Sequence, residues 1–206
     1  MESLMAELLG PRALMVMALS FLVGSIPFGL VFTMGSGVDI RKTGSGNTGA
    51  TNVLRAAGKR AAFLTLMGDL LKGVAAVALA RELGLGVMVE GAAGLCSVLG
   101  HDFSVFLRFR GGKGVATSLG VILIYIPMAG ILTCIIWLAT VLAARYSSLG
   151  AIVSFAALPA LVWALGGSSE KLAVSAIITV LLLYKHRTNI RNILKGTESK
   201  VGQKTT

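Results

Sequence analysis

VATSLGVILIYIPMAGILTCIIWLATVLAA, residues 115–144, is the stretch whose reading decides the fold. Read as one long helix, it gives the chain six membrane spans. Read as two helices, 115–126 and 128–144, turning at Pro127, it gives seven and moves the C-terminal tail to the other side of the bilayer. Outward from it, further apolar runs lie at about 13–34, 61–80, 85–107, 149–166 and 171–185. The run 115–126 and the last run are short for a hydrocarbon core about 30 Å thick.

Charge chooses between the two readings. With seven helices, the loops and tail on one side carry Arg41, Lys42, Arg55, Lys59, Arg60, Arg108, Arg110, Lys113, Arg145, Lys185, Arg187, Arg191, Lys195, Lys200 and Lys204. The other side has Arg12, Arg81 and Lys171, and Lys72 falls inside a span. Basic residues collect on the cytoplasmic side of membrane proteins, so the sequence predicts seven helices with the N-terminus outside and the C-terminus cytoplasmic.

Composition agrees with an all-α integral membrane protein forming one polytopic domain over residues 1–206. Of the 206 residues 55% are hydrophobic and 14% charged, with a mean hydropathy of +0.83; soluble domains average about 25% charged. The net charge of +10 does not point to nucleic acid, because the basic residues sit in short loops with few aromatics among them. Cys96 and Cys134 lie in separate apolar runs with no neighbouring His or Cys at metal spacing, which fits packing. The 13–34 run exceeds the roughly 7 to 15 residues of a signal-peptide core, and Glu2 and Glu7 precede it against Arg12, so it reads as a retained span.

Three polar islands interrupt the apolar chain, all on the predicted cytoplasmic side. The first runs from Gly44 to Asn52, with Ser45, Gly46, Asn47, Thr48, Gly49 and Thr51 inside it and Arg55 beyond. Its glycines permit positive φ, so backbone N–H groups can converge on an anion. A helix starting near Thr51 would add its N-terminal potential, and Arg55 a charged contact. The second island is Gly111-Gly112-Lys113-Gly114. It is not a nucleotide P-loop, because Leu107 replaces the first glycine and Gly114 the magnesium-binding Ser or Thr, but a lysine among glycines at a helix start suits a phosphate. In the third, continuing the last helix puts His186 and Asn189 on one face, suited to a polyol or phosphate, and Arg187 and Arg191 on another, suited to lipid headgroups. His101 ends the third run, and Asp69 and Lys72 lie at i and i+3 within the second, placed to pair.

Together these residues resemble the PlsY family of bacterial acyl-phosphate:glycerol-3-phosphate acyltransferases. The three motifs match Ser45-Gly46-Asn47-x-Gly49-Ala50-Thr51-Asn52, Gly100-His101 through Gly111-Gly112-Lys113-Gly114, and His186-Arg187-x-Asn189-Ile190 with Gly196-x-Glu198. The resemblance covers about residues 20–200; Ser104, where many members have proline, is a departure at a turn. It implies transfer of a fatty acyl group from acyl phosphate to the 1-hydroxyl of glycerol 3-phosphate, giving lysophosphatidic acid and phosphate, the first step of phospholipid synthesis, without metal or cofactor. It also implies a multi-pass protein of the bacterial cytoplasmic (inner) membrane, its active site on the cytoplasmic face, surrounded by membrane lipids and functionally linked to an enzyme that makes acyl phosphate. Ser45, Arg55, Lys113, His186 and Asn189 are the implied catalytic set. Gly46, Asn47, Gly49, Thr51, Asn52, Gly111, Gly112, Gly114 and Ser148 are the implied substrate contacts. The general base stays open between His186, His101 and a substrate phosphate. A phosphate or organophosphate transporter is the alternative, disfavoured because the polar residues gather at one face and no repeat is visible.

The topology has a direct check. In a cysteine-free background, a cysteine at Lys171 should react with an impermeant reagent added to intact cells and one at Thr197 should not; the reverse pattern inverts the orientation.

Overall fold

The computed structural model describes residues 7–202, so Glu2 and Lys204, used above in the charge argument, lie outside the described residues. It is built of helices: α1 Pro11–Gly24, α2 Phe28–Val31, α3 Ala50–Glu82, α4 Gly86–Asp102, α5 Val115–Tyr125, α6 Pro127–Ala144, α7 Ser147–Ala164, α8 Ser169–Lys185 and α9 Arg187–Leu194. A short 3-10 turn, Val105–Leu107, follows α4. Three helices, α3, α6 and α7, are long and apolar enough to cross a membrane, and α1 and α5 are shorter apolar helices.

Residues 115–144 do form two helices. Ile126 leaves the helical region (φ −139°, ψ 72°) and Pro127, which has no N–H to donate, takes the first turn of α6. The 11 residues of α5 reach only about 16 Å at 1.5 Å per residue. The first apolar run is likewise divided rather than one span. Its helix α1 stops at Gly24, and α2 begins after Pro27. Helix α3 bends at Gly58, whose φ of 85° and ψ of −178° only glycine adopts readily, which separates a first segment carrying Thr51 and Arg55 from the apolar remainder.

The bundle centres on α3, α4 and α5. Helix α1 lies against α3 and α4, α8 against α4, α6 against α5, and α7 between α6 and α8. Val77, Val121, Ile122, Tyr125, Phe155, Leu158 and Ile178 form the interior. Outside, Met128, Ile131, Ile135, Leu138 and Leu142 of α6 are exposed at spacings of three and four, a continuous apolar stripe that hydrocarbon would solvate and water would not. Within α3, Asp69 and Lys72 pair as their spacing predicts, Nζ to Oδ1 at 2.9 Å, both side chains buried.

Small residues set a close contact between α3 and α5. A Cβ on Gly73 of α3 would fall on the Thr117 carbonyl of α5, and one on Gly120 of α5 on the Leu70 carbonyl of α3. Such glycine-mediated approach is how membrane helices gain packing without a hydrophobic drive between them. Gly120→Leu should therefore destabilise the protein by about 1–3 kcal/mol, the usual cost of overpacking. Detergent unfolding measures this, and an unchanged midpoint would show that α3 and α5 do not meet there.

Candidate functional site

The first island is folded around one side chain. Asn52, at 1% exposure, accepts the Ser45 N–H through Oδ1 at 3.0 Å and donates from Nδ2 to the carbonyls of Ile40 at 2.8 Å and Asn47 at 2.9 Å. Gly44 and Gly46 take φ of 60° and 68°, and a Cβ on Gly44 would lie 2.5 Å from Asn52 Oδ1. Gly49, expected to share the positive φ, is extended instead (φ −78°, ψ 162°) because it caps α3, and a cap residue sits in the β region. The helix starts at Ala50, as the motif reading needs. Asn52, assigned from sequence to substrate, has its amide engaged by backbone, and these bonds shape the loop. Ser45 is exposed, and Thr51 Oγ1 meets Ser147 Oγ at 3.1 Å.

The second island hangs from the end of α4. Gly111 N–H donates to the Asp102 carbonyl at 3.2 Å and Gly112 N–H to that of His101 at 3.0 Å; Gly114, at φ 73°, then caps α5. Ser104, the residue in place of proline, closes the preceding turn by donating to the Ser25 carbonyl at 2.5 Å. Lys113 Nζ leaves this loop to donate to Asn189 Oδ1 at 2.7 Å, joining the second island to the third. Burial lowers the Lys113 pKa; the Glu198 carboxylate opposes that, while Lys185 and Arg55 add to it.

In the third island the expected continuous helix is broken. Helix α8 ends at Lys185, His186 sits at φ −95°, ψ 4°, and α9 starts at Arg187. The pairing of faces survives the break: His186 and Asn189 are buried and Arg187 and Arg191 exposed. His186 Nδ1 lies 2.9 Å from the Leu182 carbonyl. A carbonyl only accepts, so Nδ1 carries the proton and Nε2 has a free lone pair. Burial, helped by Lys113, pushes the His186 pKa down to about 4.

Glu198 is the residue that sequence reasoning quoted in a motif but gave no role. Its Oε1 accepts from Ser148 Oγ at 2.5 Å and Asn189 Nδ2 at 2.7 Å. The same tail passes Arg55, whose Nη2 donates to the Ser199 carbonyl at 3.2 Å, and Arg145, whose carbonyl accepts from Val201 N–H at 2.7 Å. Arg55 Nε is buried with no hydrogen-bond partner among the described residues. Ser147 and Arg145 also come to the site unpredicted, since nothing in an α7 N-terminus read alone says which neighbour it faces. Lys113, Asn189, Ser148, Glu198, Arg55 and His186 thus converge at one end of the bundle, a basic cluster with hydroxyl and amide groups suited to phosphate.

The family model described as glycerol-3-phosphate acyltransferase matches residues 14–196. The chain belongs to the glycerol-3-phosphate acyltransferase family. A glycerol-3-phosphate acyltransferase of Bradyrhizobium sp. (strain BTAi1) is 48% identical over 199 residues, covering 95% of this chain and 100% of the relative. Another from Rhizobium meliloti is 47% identical over 195 residues, covering 94% and 95%. Crystal structures of PlsY, an integral membrane glycerol 3-phosphate acyltransferase, match at 39% identity. Its glycerol 3-phosphate form has a TM-score of 0.89 over 93% of this chain and 96% of that one. Its lysophosphatidic acid form has 0.86 over 92% and 95%. Like these acyltransferases, the chain is an all-helical, multi-pass membrane protein.

The buried imidazole sets a pH expectation. With its pKa lowered, His186 should stay neutral, with Nε2 free to accept, as pH falls through 6 and 5, and should protonate only near 4. A nitrogen-15 histidine NMR titration in detergent reads this; a His186 midpoint at or above the ordinary value of about 6.5 would contradict it.

Proposed function

We propose that this acyltransferase transfers a fatty acyl group from acyl phosphate to the 1-hydroxyl of glycerol 3-phosphate, giving lysophosphatidic acid and inorganic phosphate. Family membership supports the acceptor and the reaction. The observation that carries the site assignment is the convergence of Lys113, Arg55, Ser148 and Asn189 in one polar cluster, with Arg55 Nε lacking an acceptor among the described residues. A buried donor without a partner is costly, and a phosphate oxygen is the acceptor it suits.

The chemistry divides into positioning and charge. Acyl phosphate is already activated, so attack by the glycerol oxygen forms the ester C–O bond as the carbonyl carbon's bond to the phosphate oxygen breaks. Lys113 and Arg55 stabilise the departing and resident phosphates, and the N-termini of α3 and α5 add positive potential. Ser45, Asn47, Thr51 and Ser148, with Gly46, Gly49, Gly111, Gly112 and Gly114 keeping backbone close, complete the contacts. Asn189 orients the glycerol moiety. His186, neutral and with Nε2 unprotonated, accepts a hydrogen bond from the attacking hydroxyl and aligns it with the carbonyl. In this reading a phosphate oxygen of the substrates takes that proton, and the imidazole, whose pKa burial lowers, serves to align the hydroxyl.

The same reading extends to topology: seven spans in the bacterial cytoplasmic membrane, N-terminus outside, with the site on the cytoplasmic face, where an acyl-phosphate-producing enzyme can deliver the donor. Support comes from the charge asymmetry and from the three islands meeting at one end of the bundle.

Purified protein given acyl phosphate and glycerol 3-phosphate should release phosphate and acylated product in equal amounts; release without product would reduce the activity to hydrolysis. Lys113→Ala and Arg55→Ala should each lower kcat/KM roughly 10-fold to 100-fold with the fold intact, because each removes a charged hydrogen bond of about 1.5–3 kcal/mol. Full activity in either folded variant removes that residue from the site. His186→Gln should mainly raise KM for glycerol 3-phosphate; loss confined to kcat would make the imidazole the base after all.

A further inference from the structure

Beneath the glycine loop lies a chain of buried polar groups that the reaction as described does not use. The Lys72 ammonium is surrounded by Asp69 Oδ1 at 2.9 Å, the Ile26 carbonyl at 3.1 Å and His101 Nδ1 at 2.8 Å. His101 Nδ1 also lies 3.4 Å from Asp69 Oδ1, so Lys72 and Asp69 together hold that edge of the ring. Its Nε2 edge rests where a side chain on residue 112 would stand, since a Cβ built on Gly112 falls on that atom. The backbone of the same residue accepts the Gly112 N–H, and a Cβ on Gly111 would fall on the His101 carbonyl. The ring, fixed from below by Lys72 and Asp69, is the floor on which Gly111 and Gly112 lie, one residue before Lys113.

Burying an ion pair in a membrane bundle is costly, and such pairs in membrane interiors mark function more often than stability. A local reason is present here. Lys113 reaches Asn189 from a loop that glycine makes intrinsically loose, so something rigid must set its height and angle.

We propose that Asp69, Lys72 and His101 form a positioning relay for the glycine loop, fixing the imidazole's orientation so that Lys113 meets its phosphate. None of the three touches substrate. The proposal rests on the reading that Lys113 contacts substrate phosphate, and it extends that reading to residues the motif chemistry leaves without a role.

The test is a pair of kinetic double-mutant cycles. His101→Phe keeps the ring's bulk and removes both nitrogens, and it should lower kcat/KM about 10-fold to 100-fold, the range seen when an outer residue orienting a functional group is lost. Its effect should overlap with that of Lys113→Ala, so that the double variant is little worse than either single, while its effect and that of Arg55→Ala should multiply. A purely structural role would not couple to one site residue and spare another. If His101→Phe does not fold, Asp69→Asn with Lys72→Met removes both charges together, leaves no buried ion unpaired, and should show the same coupling to Lys113→Ala. Gly112→Ala should lose activity and regain part of it when combined with His101→Ala, because the ring is what the added methyl meets. If Lys113→Ala is itself fully active, the reading of the site fails. If Lys113→Ala is impaired but multiplies with the His101 and Asp69/Lys72 variants, the relay alone is overturned.

Discussion

The Glu198 carboxylate, accepting from Ser148 and Asn189 while Asn189 accepts from Lys113, ties together segments far apart in the chain. Through it the α7 N-terminus, the α8–α9 junction, the glycine loop and the tail share one hydrogen-bonded network. An anion is needed there. Lys113 and Arg55 lie near each other, and like charges repel unless something negative stands between them. The carboxylate neutralises the cluster in part and leaves net positive potential for substrate phosphate.

The rest of the architecture serves to bring helix ends to that network. Helices α3 and α5 approach closely through Gly73 and Gly120, and the first and second islands lie just before their N-termini. The breaks at Gly58, Ile126 and His186 matter for the same reason. Each ends a straight helix where a continuous one would carry the polar segment away from the cluster. His186 gains most from its break: with the helix ended there, the ring stays against Leu182 and keeps Nε2 open.

Placing the polar groups at one end also explains how phosphate chemistry and an acyl chain can share one small protein. The helices below present apolar surfaces such as the α6 stripe, whereas the loops above present N–H groups, amides and cations. A substrate with a charged head and a hydrocarbon tail matches that division. A site placed near the middle of the bundle, as in transporters, would have to surround the charged head with protein.

The turn at Pro127, the Asp69–Lys72 pair and the three islands were legible in the sequence because each depends on local rules: a missing N–H, an i,i+3 spacing, glycine's φ freedom, or a motif. Glu198's partners, Arg55's turn toward Ser199, the break at His186 and the placing of His101 under Gly112 were not, because they depend on which helix ends lie side by side. Asn52 marks the boundary. Its motif position was plain, yet only the folded loop shows its amide engaged by Ser45, Ile40 and Asn47. Hydropathy and charge along a chain determine how many apolar segments there are and which loops share a side. Distances between side chains separated by 50 or more positions, such as Ser148 and Glu198, come only from packing, where each helix's rotation is set by all its neighbours at once.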